Sequence, residues 1–418
     1  MDYFEIEGKN QLFGDITVSG AKNAVLPLMA ASILNDRPLT IANVPKLSDS
    51  ITMGKLIKEM GGKVSFDQSN ITINPKNLNT PYAPYNLVKT MRASFYVLGP
   101  LIAKFGEAKV SLPGGCAWGP RPVDFHLEGF KKLGIEIALE AGYVHAKAKK
   151  IIGNKIVFPK ISVGATGNVL MAAVLAEGKT EIHNEGAEPD IHQLCLLLNE
   201  MGAKISGIGT NILTIQGVEK LGGVDSIDVI PDRIEAGTFL IAVAATGGKV
   251  KLNNVEPKHM ESVISLLRKS NIDIFEEKDS IIVTSNGLDI KACDMETHEY
   301  PGFPTDLQAQ WMILMSLASG SSTIKENIYF DRFTHILELN RLGCDVHLED
   351  GSAAIKGGRS LVGANVMSTD IRASAALIIA ALCAKGSTSI SRVYHIDRGY
   401  DKIEEKLAKV GAKITRKK

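Results

Sequence analysis

The chain has 418 residues, 45% of them hydrophobic, and its 47 Lys and Arg against 46 Asp and Glu give a net charge of +1. This balance excludes long-range attraction of nucleic acid or of an acidic membrane. The longest apolar run, residues 375–384, is half the ~20 residues of a membrane-spanning helix. The start, MDYFEIEGKN, resembles no signal or transit peptide, which predicts a cytoplasmic protein. The length predicts two domains.

Six amphipathic segments recur along the chain and end alike. Each reads as a helix, a stop and a strand, as in LIKEMGGKV and LLNEMGAKI. The stop is glycine or asparagine, which tolerate the left-handed backbone that closes a helix. The stops are 68 to 73 residues apart, which predicts six copies of one unit. They are Gly61, Gly134, Gly202, Asn271, Gly343 and Gly411.

A second helix in each unit is apolar nearly all round, for example NAVLPLMAASIL and RASAALIIAALCA. Helices of this kind belong in a protein interior. Alternating stretches such as VSFDQSNITIN and ISGIGTNILTIQ predict hairpin strands. The predicted unit is strand, buried helix, strand, outer helix and hairpin (βαβαββ). The fold class is therefore α/β, with three buried helices per domain and the cleft between the domains as the expected site.

Charged and polar residues lie where the buried helices begin. Helix starts carry unpaired amide donors and the positive end of the dipole, so several starts facing one cleft would form an anion receptor. Asp306, in a first helical turn, is expected to stay ionised and to suit a base that accepts a hydroxyl proton. The residues at these starts are Lys22, Asn23, Arg92, Asp232, Arg233, Glu235, Asp306, Asp370 and Arg372.

The acidic residues at these starts also fit a purely structural role. Asp232 with Glu235, and Thr305 with Gln308, have the spacing of a capping box. A second charged set precedes the outer helices, where charge commonly serves only solvation. Its recurrence at equivalent places in the units favours a shared cleft instead. This set comprises Asp49, Arg121, Asp124, Glu188, Asp190, Arg332, Asp397 and Arg398.

One loop, LPGGCAWGPRPVDFH at residues 112–126, combines three glycines and three prolines with a thiol. Its composition excludes a regular helix or a central strand and predicts a lid or a binding loop. Cys116 lies close in sequence to Arg121, and nearby positive charge makes a thiol reactive. The alternative is a small apolar side chain tucked under the loop. Cys195 and Cys383 lie in apolar runs and are expected to be core residues, and His126 a structural contact.

Six strings together resemble those of UDP-N-acetylglucosamine enolpyruvyl transferases. They are SGAKNAVLP, PGGCAWGPRPVDFH, SVGAT, FPTDLQAQ, TDIRASA and YHIDRGY. The wider family, which includes 5-enolpyruvylshikimate-3-phosphate synthase, has an inside-out α/β barrel of two domains with three units each. The resemblance implies one domain from residues 1–20 and 231–418, holding Asp306, Asp370 and Arg398. The other spans residues 21–230 and holds Lys22 and the Cys116 lid loop, with the active site in the interdomain cleft.

The resemblance implies transfer of the enolpyruvyl group of phosphoenolpyruvate to the 3-hydroxyl of UDP-N-acetylglucosamine, with release of phosphate, as the first committed step of peptidoglycan synthesis. It implies no metal or other cofactor, and no nucleic-acid or membrane partner. Cys116 matches the thiol that protonates the methylene carbon of phosphoenolpyruvate and is the target of fosfomycin. Asp306 matches the residue that orients the acceptor hydroxyl and is suited to deprotonate it. The residues matching the phosphoenolpyruvate site are Lys22, Asn23, Arg121 and Arg398.

The resemblance also assigns residues to the nucleotide sugar and to the cleft. Asp49, Asp232, Asp370 and Arg372 match positions that line the cleft or support its closure. One departure is Phe330, which stands where the family usually has an acid, with Asp331 following. The contacts of that acid are therefore not carried over. The residues matching the nucleotide-sugar site are Arg92, Arg121, Pro122, Val123, Asp124, Phe125, Lys160, Ser162, Val163, Gly164, Asp306 and Ile328.

Two other functions compete with this interpretation. 5-Enolpyruvylshikimate-3-phosphate synthase performs the same chemistry on a smaller acceptor, but the PGGC loop and the string RPVDFH favour the nucleotide-sugar enzyme. A repeat protein that binds a nucleotide sugar without turnover would be favoured only if Cys116 and Asp306 were dispensable. Phosphate release measured with each acceptor separates the three.

Overall fold

The structure is a computed structural model that describes residues 2–113 and 123–418. The chain divides into two compact units. Unit 1 comprises Met1–Ser19 with Pro231–Lys418, and unit 2 comprises Gly20–Ile230.

The strands in the described part of the chain are short, from two to six residues each. They are β1 (Tyr3–Glu7), β2 (Leu12–Thr17), β3 (Leu39–Ala42), β4 (Lys63–Asp67), β5 (Asn70–Asn74), β6 (Tyr82–Ala83), β7 (Glu107–Ser111), β8 (Glu136–Glu140), β9 (Tyr143–Lys147), β10 (Lys155–Val157), β11 (Lys179–His183), β12 (Lys204–Ser206), β13 (Ile212–Gln216), β14 (Ser226–Asp228), β15 (Gly248–Asn253), β16 (Asp273–Glu276), β17 (Ser280–Ser285), β18 (Met295–Glu296), β19 (Ser321–Lys325), β20 (Val346–Glu349), β21 (Ser352–Lys356), β22 (Asn365–Met367), β23 (Ser387–Ser391) and β24 (Lys413–Lys417).

The α-helices of the same residues are α1 (Lys22–Ala31), α2 (Ser48–Glu59), α3 (Tyr85–Val88), α4 (Leu98–Phe105), α5 (Asp124–Lys132), α6 (Val163–Ala173), α7 (Pro189–Glu200), α8 (Arg233–Thr246), α9 (Glu261–Lys269), α10 (Gln308–Leu317), α11 (Ile336–Arg341), α12 (Ile371–Cys383) and α13 (Ile403–Lys409). Short 3₁₀ helices span Ser32–Leu34, Arg92–Val97, Pro257–Met260, Thr305–Leu307 and Val393–Arg398. None of the helices in the described ranges is long and apolar enough to cross a membrane.

The strands form six four-stranded sheets that share one topology, three in each unit. In the sheet β10-β11-β13-β12, for example, β10 and β11 are parallel, and the hairpin β12–β13 joins antiparallel to β11. The predicted βαβαββ repeat and its hairpins are therefore confirmed. Parallel neighbours need a crossover connection, and in four of the six sheets a buried helix lies between the two parallel strands in the sequence.

Three strands, β1, β2 and β14, pair with strands that lie far away in the sequence. The N-terminal strand β1 pairs with β23 and β24, and β2 pairs with β15. In unit 2, β14 pairs parallel to β3, so the last strand of the unit completes its first sheet. The chain ends of each unit are therefore tied into its sheets.

The helices that the sequence predicts to be buried form the centre of each unit. In unit 1, α8, α10 and α12 pack against one another, and in unit 2, α6 packs against α1 and α4, while α1 also packs against the 3₁₀ helix Arg92–Val97 that precedes α4. Almost every residue of α12 is buried. The sheets enclose these helices, because an apolar helix must be covered on all sides. This arrangement confirms the inside-out α/β fold within each unit.

The six predicted helix stops all have a positive φ. The five glycines lie between 77° and 105°, and Asn271 has φ 66°. Asn271 also donates a hydrogen bond from Nδ2 to the carbonyl of Asp289 at 3.0 Å. The left-handed stop is therefore a property of each repeat, and asparagine replaces glycine where its side chain gains a local acceptor.

Gly134→Ala is expected to lower the free energy of unfolding by about 1 kcal/mol through backbone strain. At φ 77° an added Cβ would meet no atom within 4 Å among the described residues. Gly61→Ala is the matched comparison, because its Cβ would lie 2.7 Å from the carbonyl oxygen of Asn77. We expect it to cost about 2 kcal/mol. Chemical denaturation measures both values. Equal losses in the two variants would contradict the prediction that the close contact at Gly61 adds to the backbone strain that both positions share.

Candidate active site

Asp306 lies between two arginines in unit 1. Its Oδ1 is 2.7 Å from Nη2 of Arg332, and its Oδ2 is 2.7 Å from Nη2 of Arg372. The arginine side chains are only 7% and 8% exposed, whereas that of Asp306 is 24% exposed. We call these three residues the Asp306 cluster. The cluster has a net charge of +1, so the partly exposed carboxylate of Asp306 is surrounded by positive charge.

The electrostatics of the Asp306 cluster keep the carboxylate ionised. Burial alone would raise the pKa of Asp306, but the guanidinium groups of Arg372 and Arg332 outweigh it and hold the pKa well below its usual range. The sequence-based expectation of an ionised Asp306 agrees with this. Because each carboxylate oxygen already accepts from a guanidinium, the carboxylate in this arrangement is a weak base.

Thr305 and Glu326 support Arg332 from the other side. Nη1 of Arg332 donates to Oγ1 of Thr305 at 2.9 Å, and Oγ1 of Thr305 donates to Oε2 of Glu326 at 2.9 Å. The predicted capping box of Thr305 with Gln308 is therefore wrong. In a capping box the threonine oxygen would accept from a backbone amide, but here it accepts from the charged guanidinium of Arg332, which is a stronger donor.

Tyr400 supports Arg372. Nη1 of Arg372 donates to the Tyr400 hydroxyl at 3.3 Å, and that hydroxyl lies 2.8 Å from Oγ1 of Thr238. Nε2 of Gln310 also reaches the Tyr400 hydroxyl, at 3.3 Å. Tyr400, Thr238, Gln310 and Glu326 are not among the site residues predicted from the sequence. The signal that could have found two of them is a polar residue inside an apolar helix, as Thr238 is in GTFLIAVAA and Gln310 in QAQWMILM.

Three of the buried helices begin with a side-chain cap. Asp232 accepts from the amides of Ile234 and Glu235, Asp370 from those of Arg372 and Ala373, and Ser162 from that of Ala165. Capping is thus the structural role of Asp232. Glu235 does not complete a capping box, because its carboxylate binds Lys406 and the amide of Ser19.

The anion-receptor hypothesis needs a correction at these capped starts, since their first amides already have acceptors of their own. In the described part of the chain, α1 and the 3₁₀ helices Arg92–Val97 and Thr305–Leu307 begin without a side-chain cap. Lys22, Arg92 and Asp306 lie at these starts. The anion-receptor prediction therefore applies only to the uncapped starts, because the first amides of the capped starts already have acceptors.

Lys22 and Asp49 form a buried ion pair in unit 2. Nζ of Lys22 is 2.7 Å from Oδ2 of Asp49, and both side chains are almost fully buried. Lys22 begins α1, and Asp49 lies in the first turn of α2. Asn23, the next residue of α1, is exposed. The pair fixes the lysine at the helix start, where an anionic ligand would also meet the positive end of the helix dipole.

His126 is a structural residue, as the sequence analysis expected. It is buried, and its Nδ1 lies 3.1 Å from Nδ2 of Asn168. Burial lowers the pKa of His126 to about 3, and the charge of Arg92 adds to the effect. A histidine that is neutral at physiological pH and hydrogen-bonded to a core asparagine is unsuited to act as the base.

The low pKa of His126 predicts an acid-dependent loss of stability. Below pH 6.5 the unfolded chain binds a proton at this residue and the folded protein does not, so the free energy of unfolding falls with pH by about 1.4 kcal/mol per unit. His126→Asn is expected to remove that part of the slope between pH 6.5 and 5. His347→Gln, at an exposed position, is the control. Equal slopes for the wild type and His126→Asn would contradict the shift.

The described residues matched to the nucleotide sugar fall on three segments of unit 2 and two of unit 1. The segments are Arg92, 123–125 and 160–164 in unit 2, and Asp306 and Ile328 in unit 1. At the start of α5, Val123 is buried, Asp124 is exposed and Phe125 stacks on Phe158 with ring centroids 6.3 Å apart. Lys160 is exposed in the loop before α6, and Val163 and Gly164 open that helix half-buried.

In unit 1, the amide of Ile328 donates to Oε1 of Glu326 at 2.9 Å. Phe330, two residues further on, is exposed. Arg398 ends the 3₁₀ helix Val393–Arg398 and is half-buried. Its neighbour Asp397 forms an ion pair with Arg416 of β24. This pair favours a structural role for Asp397 over the cleft role expected from the charged set.

Cys116, Arg121 and Pro122 lie outside the described residues. Of the remaining thiols, Cys195 and Cys383 are buried, as expected of core residues. Burial raises the pKa of both, to about 12 for Cys383, so these thiols are unreactive near neutral pH. In the described ranges no group of three or more His, Cys, Asp and Glu side chains is arranged to hold a metal ion.

The fold and these buried ion pairs define an α/β protein with cationic groups placed at helix starts. The sequence profile described as EPSP synthase (3-phosphoshikimate 1-carboxyvinyltransferase) matches residues 6–407, and the chain belongs to this family. A UDP-N-acetylglucosamine 1-carboxyvinyltransferase of Hydrogenovibrio crunogenus (strain DSM 25203 / XCL-2) is 49% identical over 417 residues, which cover 100% of both chains.

Two further proteins extend this comparison. The protein of the same name from Koribacter versatilis (strain Ellin345) is 50% identical over 420 residues, covering 100% of this chain and 96% of its own. The crystal structure of the enolpyruvyl transferase NikO from Streptomyces tendae superposes with a TM-score of 0.91 at 23% identity, covering 99% of this chain and 98% of that one. At that identity the likeness shows the fold alone.

Proposed function

We propose that this protein transfers the enolpyruvyl group of phosphoenolpyruvate to the 3-hydroxyl of UDP-N-acetylglucosamine and releases phosphate. The observation that carries this proposal is identity of about half of all residues, from end to end, with two relatives named UDP-N-acetylglucosamine 1-carboxyvinyltransferase. A transferase of this kind acts early in peptidoglycan synthesis. We propose the cytoplasm as its location, since both substrates are charged small molecules made there.

The reaction is an addition followed by an elimination. A proton adds to the methylene carbon of phosphoenolpyruvate, and the oxygen of the sugar hydroxyl bonds to the neighbouring carbon while losing its own proton. The resulting tetrahedral intermediate then loses phosphate and one proton of the new methyl group, which restores the double bond. The protein must supply a proton donor, a group that receives the hydroxyl proton and cations that stabilise the anionic intermediate.

The cations proposed for phosphoenolpyruvate are Lys22, Arg121 and Arg398. Lys22 is held by Asp49 at 2.7 Å, so it is already oriented before a ligand arrives. Pre-oriented charge stabilises a developing anion without reorganising in the transition state. Asn23, exposed beside Lys22, is proposed to donate a hydrogen bond to the same substrate.

Asp306 is proposed to orient the acceptor hydroxyl. Its two guanidinium partners make Asp306 a weak base. For Asp306 to accept a proton, one guanidinium must first move away, or its positive charge must be neutralised by another anion. An anionic substrate does the latter, because added negative charge near Arg332 and Arg372 raises the proton affinity of the carboxylate between them. Arg372 thereby contributes through Asp306, and Asp370 through the helix start that it caps.

The test is phosphate release from phosphoenolpyruvate with purified protein and each candidate acceptor. We expect turnover with UDP-N-acetylglucosamine and none with shikimate 3-phosphate, with the enolpyruvyl ether as product by mass spectrometry. Turnover only with shikimate 3-phosphate would establish the smaller acceptor instead. Binding of the nucleotide sugar without phosphate release would indicate a protein that only binds it.

A further inference from the structure

We propose that Glu326 is a positioning residue for this reaction, acting through Thr305 and Arg332 on Asp306. The inference rests on the proposed function, because Asp306 is the group that is proposed to orient the acceptor hydroxyl. Glu326 follows β19 and is fully buried. Glu326 lies outside the six strings that carry the family resemblance, and no motif in the sequence around it marks it as a site residue.

The carboxylate of Glu326 accepts four hydrogen bonds. Oε2 accepts from Oγ1 of Thr305 at 2.9 Å. Oε1 accepts from Oγ1 of Thr297 at 2.8 Å, and from the amides of Ile328 and Tyr329 at 2.9 Å each. A glutamine could not reproduce this arrangement, since its amide nitrogen would face one or more donors.

The bond from Thr305 determines the orientation of Arg332. A threonine hydroxyl has one proton, and Glu326 receives it. The Thr305 oxygen therefore points its lone pairs at Nη1 of Arg332, which donates to it at 2.9 Å. With Nη1 held there, the planar guanidinium places Nη2 at Oδ1 of Asp306, 2.7 Å away. The contact at Oδ1, one of the two that orient Asp306, is thus held by a path of three hydrogen bonds that begins at Glu326.

The same carboxylate also fixes the loop that follows it. Its Oε1 binds the backbone amides of Ile328 and Tyr329, and Ile328 is a proposed contact of the nucleotide sugar. Glu326 therefore joins two functions: orientation of Asp306 through Oε2, and placement of the sugar-binding backbone through Oε1. A substitution that removes the hydrogen bond to Oε2 should lower kcat. A substitution that removes a hydrogen bond to Oε1 should act mainly on the stability of the protein and on KM for the nucleotide sugar.

Thr297 and Thr305 offer a matched pair for the test. Each gives one hydroxyl hydrogen bond to Glu326, but only Thr305 continues to Arg332. Thr297 instead accepts from the amide of Asn327 at 2.9 Å, so its loss disturbs the loop at least as much. A purely structural Glu326 would make the two threonines equivalent for kcat.

The experiment compares Thr305→Val with Thr297→Val, and Thr305→Ser serves as the rescue variant. We expect Thr305→Val to lower kcat by about 10- to 100-fold, Thr297→Val by less than about threefold, and Thr305→Ser to stay within about threefold of the wild type. The melting temperatures of the two valine variants should fall by similar amounts. If Thr305→Val does not fold, Thr305→Ala replaces it in the comparison.

Equal losses of kcat in the two valine variants, or a serine variant as slow as the valine variant, would overturn the proposal. Failure of the proposed function has a different signature. In that case the wild-type protein itself releases no phosphate with UDP-N-acetylglucosamine, whatever the variants do. If shikimate 3-phosphate is the acceptor, the same pair of variants assayed with it still decides the role of Glu326.

Discussion

Cys116→Ala is expected to lower kcat for enolpyruvyl transfer by about 10²- to 10⁴-fold, while Cys116→Asp keeps measurable activity. Alanine cannot donate a proton to the methylene carbon of phosphoenolpyruvate, so the neighbouring carbon stays a poor electrophile. A protonated aspartate has a donor of similar reach. Phosphate release at saturating concentrations of both substrates measures the effect.

Cys293→Ala is the matched control for this substitution. Cys293 is a partly buried free thiol in unit 1, outside the proposed site, and its variant should keep wild-type kcat. Alkylation by fosfomycin gives an independent readout, with the adduct expected on Cys116 by mass spectrometry. Full activity of Cys116→Ala, or an adduct confined to another cysteine, would remove the proposed role of the thiol.

The repeat architecture could be predicted from the sequence because it rests on local physics. A left-handed residue at the end of a helix needs glycine or asparagine, so the six stops are visible as residue types at a regular spacing. An all-apolar helix must be buried, and alternating polarity in a short segment is typical of a strand. These rules depend only on residues that are close together in the sequence, so they can be applied without knowledge of the fold.

The pairing of β1, β2 and β14 could not be predicted from the same rules. β1 joins β23 and β24 across at least 380 positions of the sequence, and its alternating pattern would suit many partners. Strand register is decided by the tertiary packing of the buried face, which the local sequence does not encode. The resemblance to a family implied the domain bounds, residues 1–20 with 231–418 and residues 21–230, but not these strand pairings.

For the candidate site, the sequence likewise predicted which residues are important but not which of them contact one another. The sequence indicated that Asp306 and Arg372 lie at helix starts, but not that Arg332 completes an ion-pair cluster with them. It also suggested a capping box for Thr305, because a threonine before a glutamine fits that motif. The tertiary partner Glu326 overrode the local rule. The identity of an ion-pair partner depends on distances that spacing cannot give.

Asp306→Asn is the second large effect that we expect. It should lower kcat by about 10²- to 10⁴-fold and reduce the free energy of unfolding by about 3 kcal/mol. The stability loss arises because Arg332 and Arg372 stay buried while the anion between them is gone. Chemical denaturation and phosphate release measure the two effects separately.

Glu276→Gln is the control for the stability of Asp306→Asn. It removes one ion pair as well, with Arg268 at 2.9 Å, but both side chains there are at least one-third exposed. Exposed pairs are screened by water, so we expect a loss of about 0.5 kcal/mol or less. Equal losses for the two variants would mean that the Asp306 cluster is no more desolvated than a surface pair.

The pH dependence separates ionisation of Asp306 from its other roles. Its folded pKa is depressed, so its stabilising contribution is present above the unfolded pKa of about 3.9 and is lost only as the pH falls towards the folded value. In the wild type, no acid limb of the kcat/KM profile above about pH 5 should therefore belong to Asp306, because that profile reports the protein before substrate binds. If such a limb vanished in Asp306→Asn but persisted in Glu276→Gln, the carboxylate of the free protein would be titrating in the working range, and its ion pairs with Arg332 and Arg372 would not hold its pKa down.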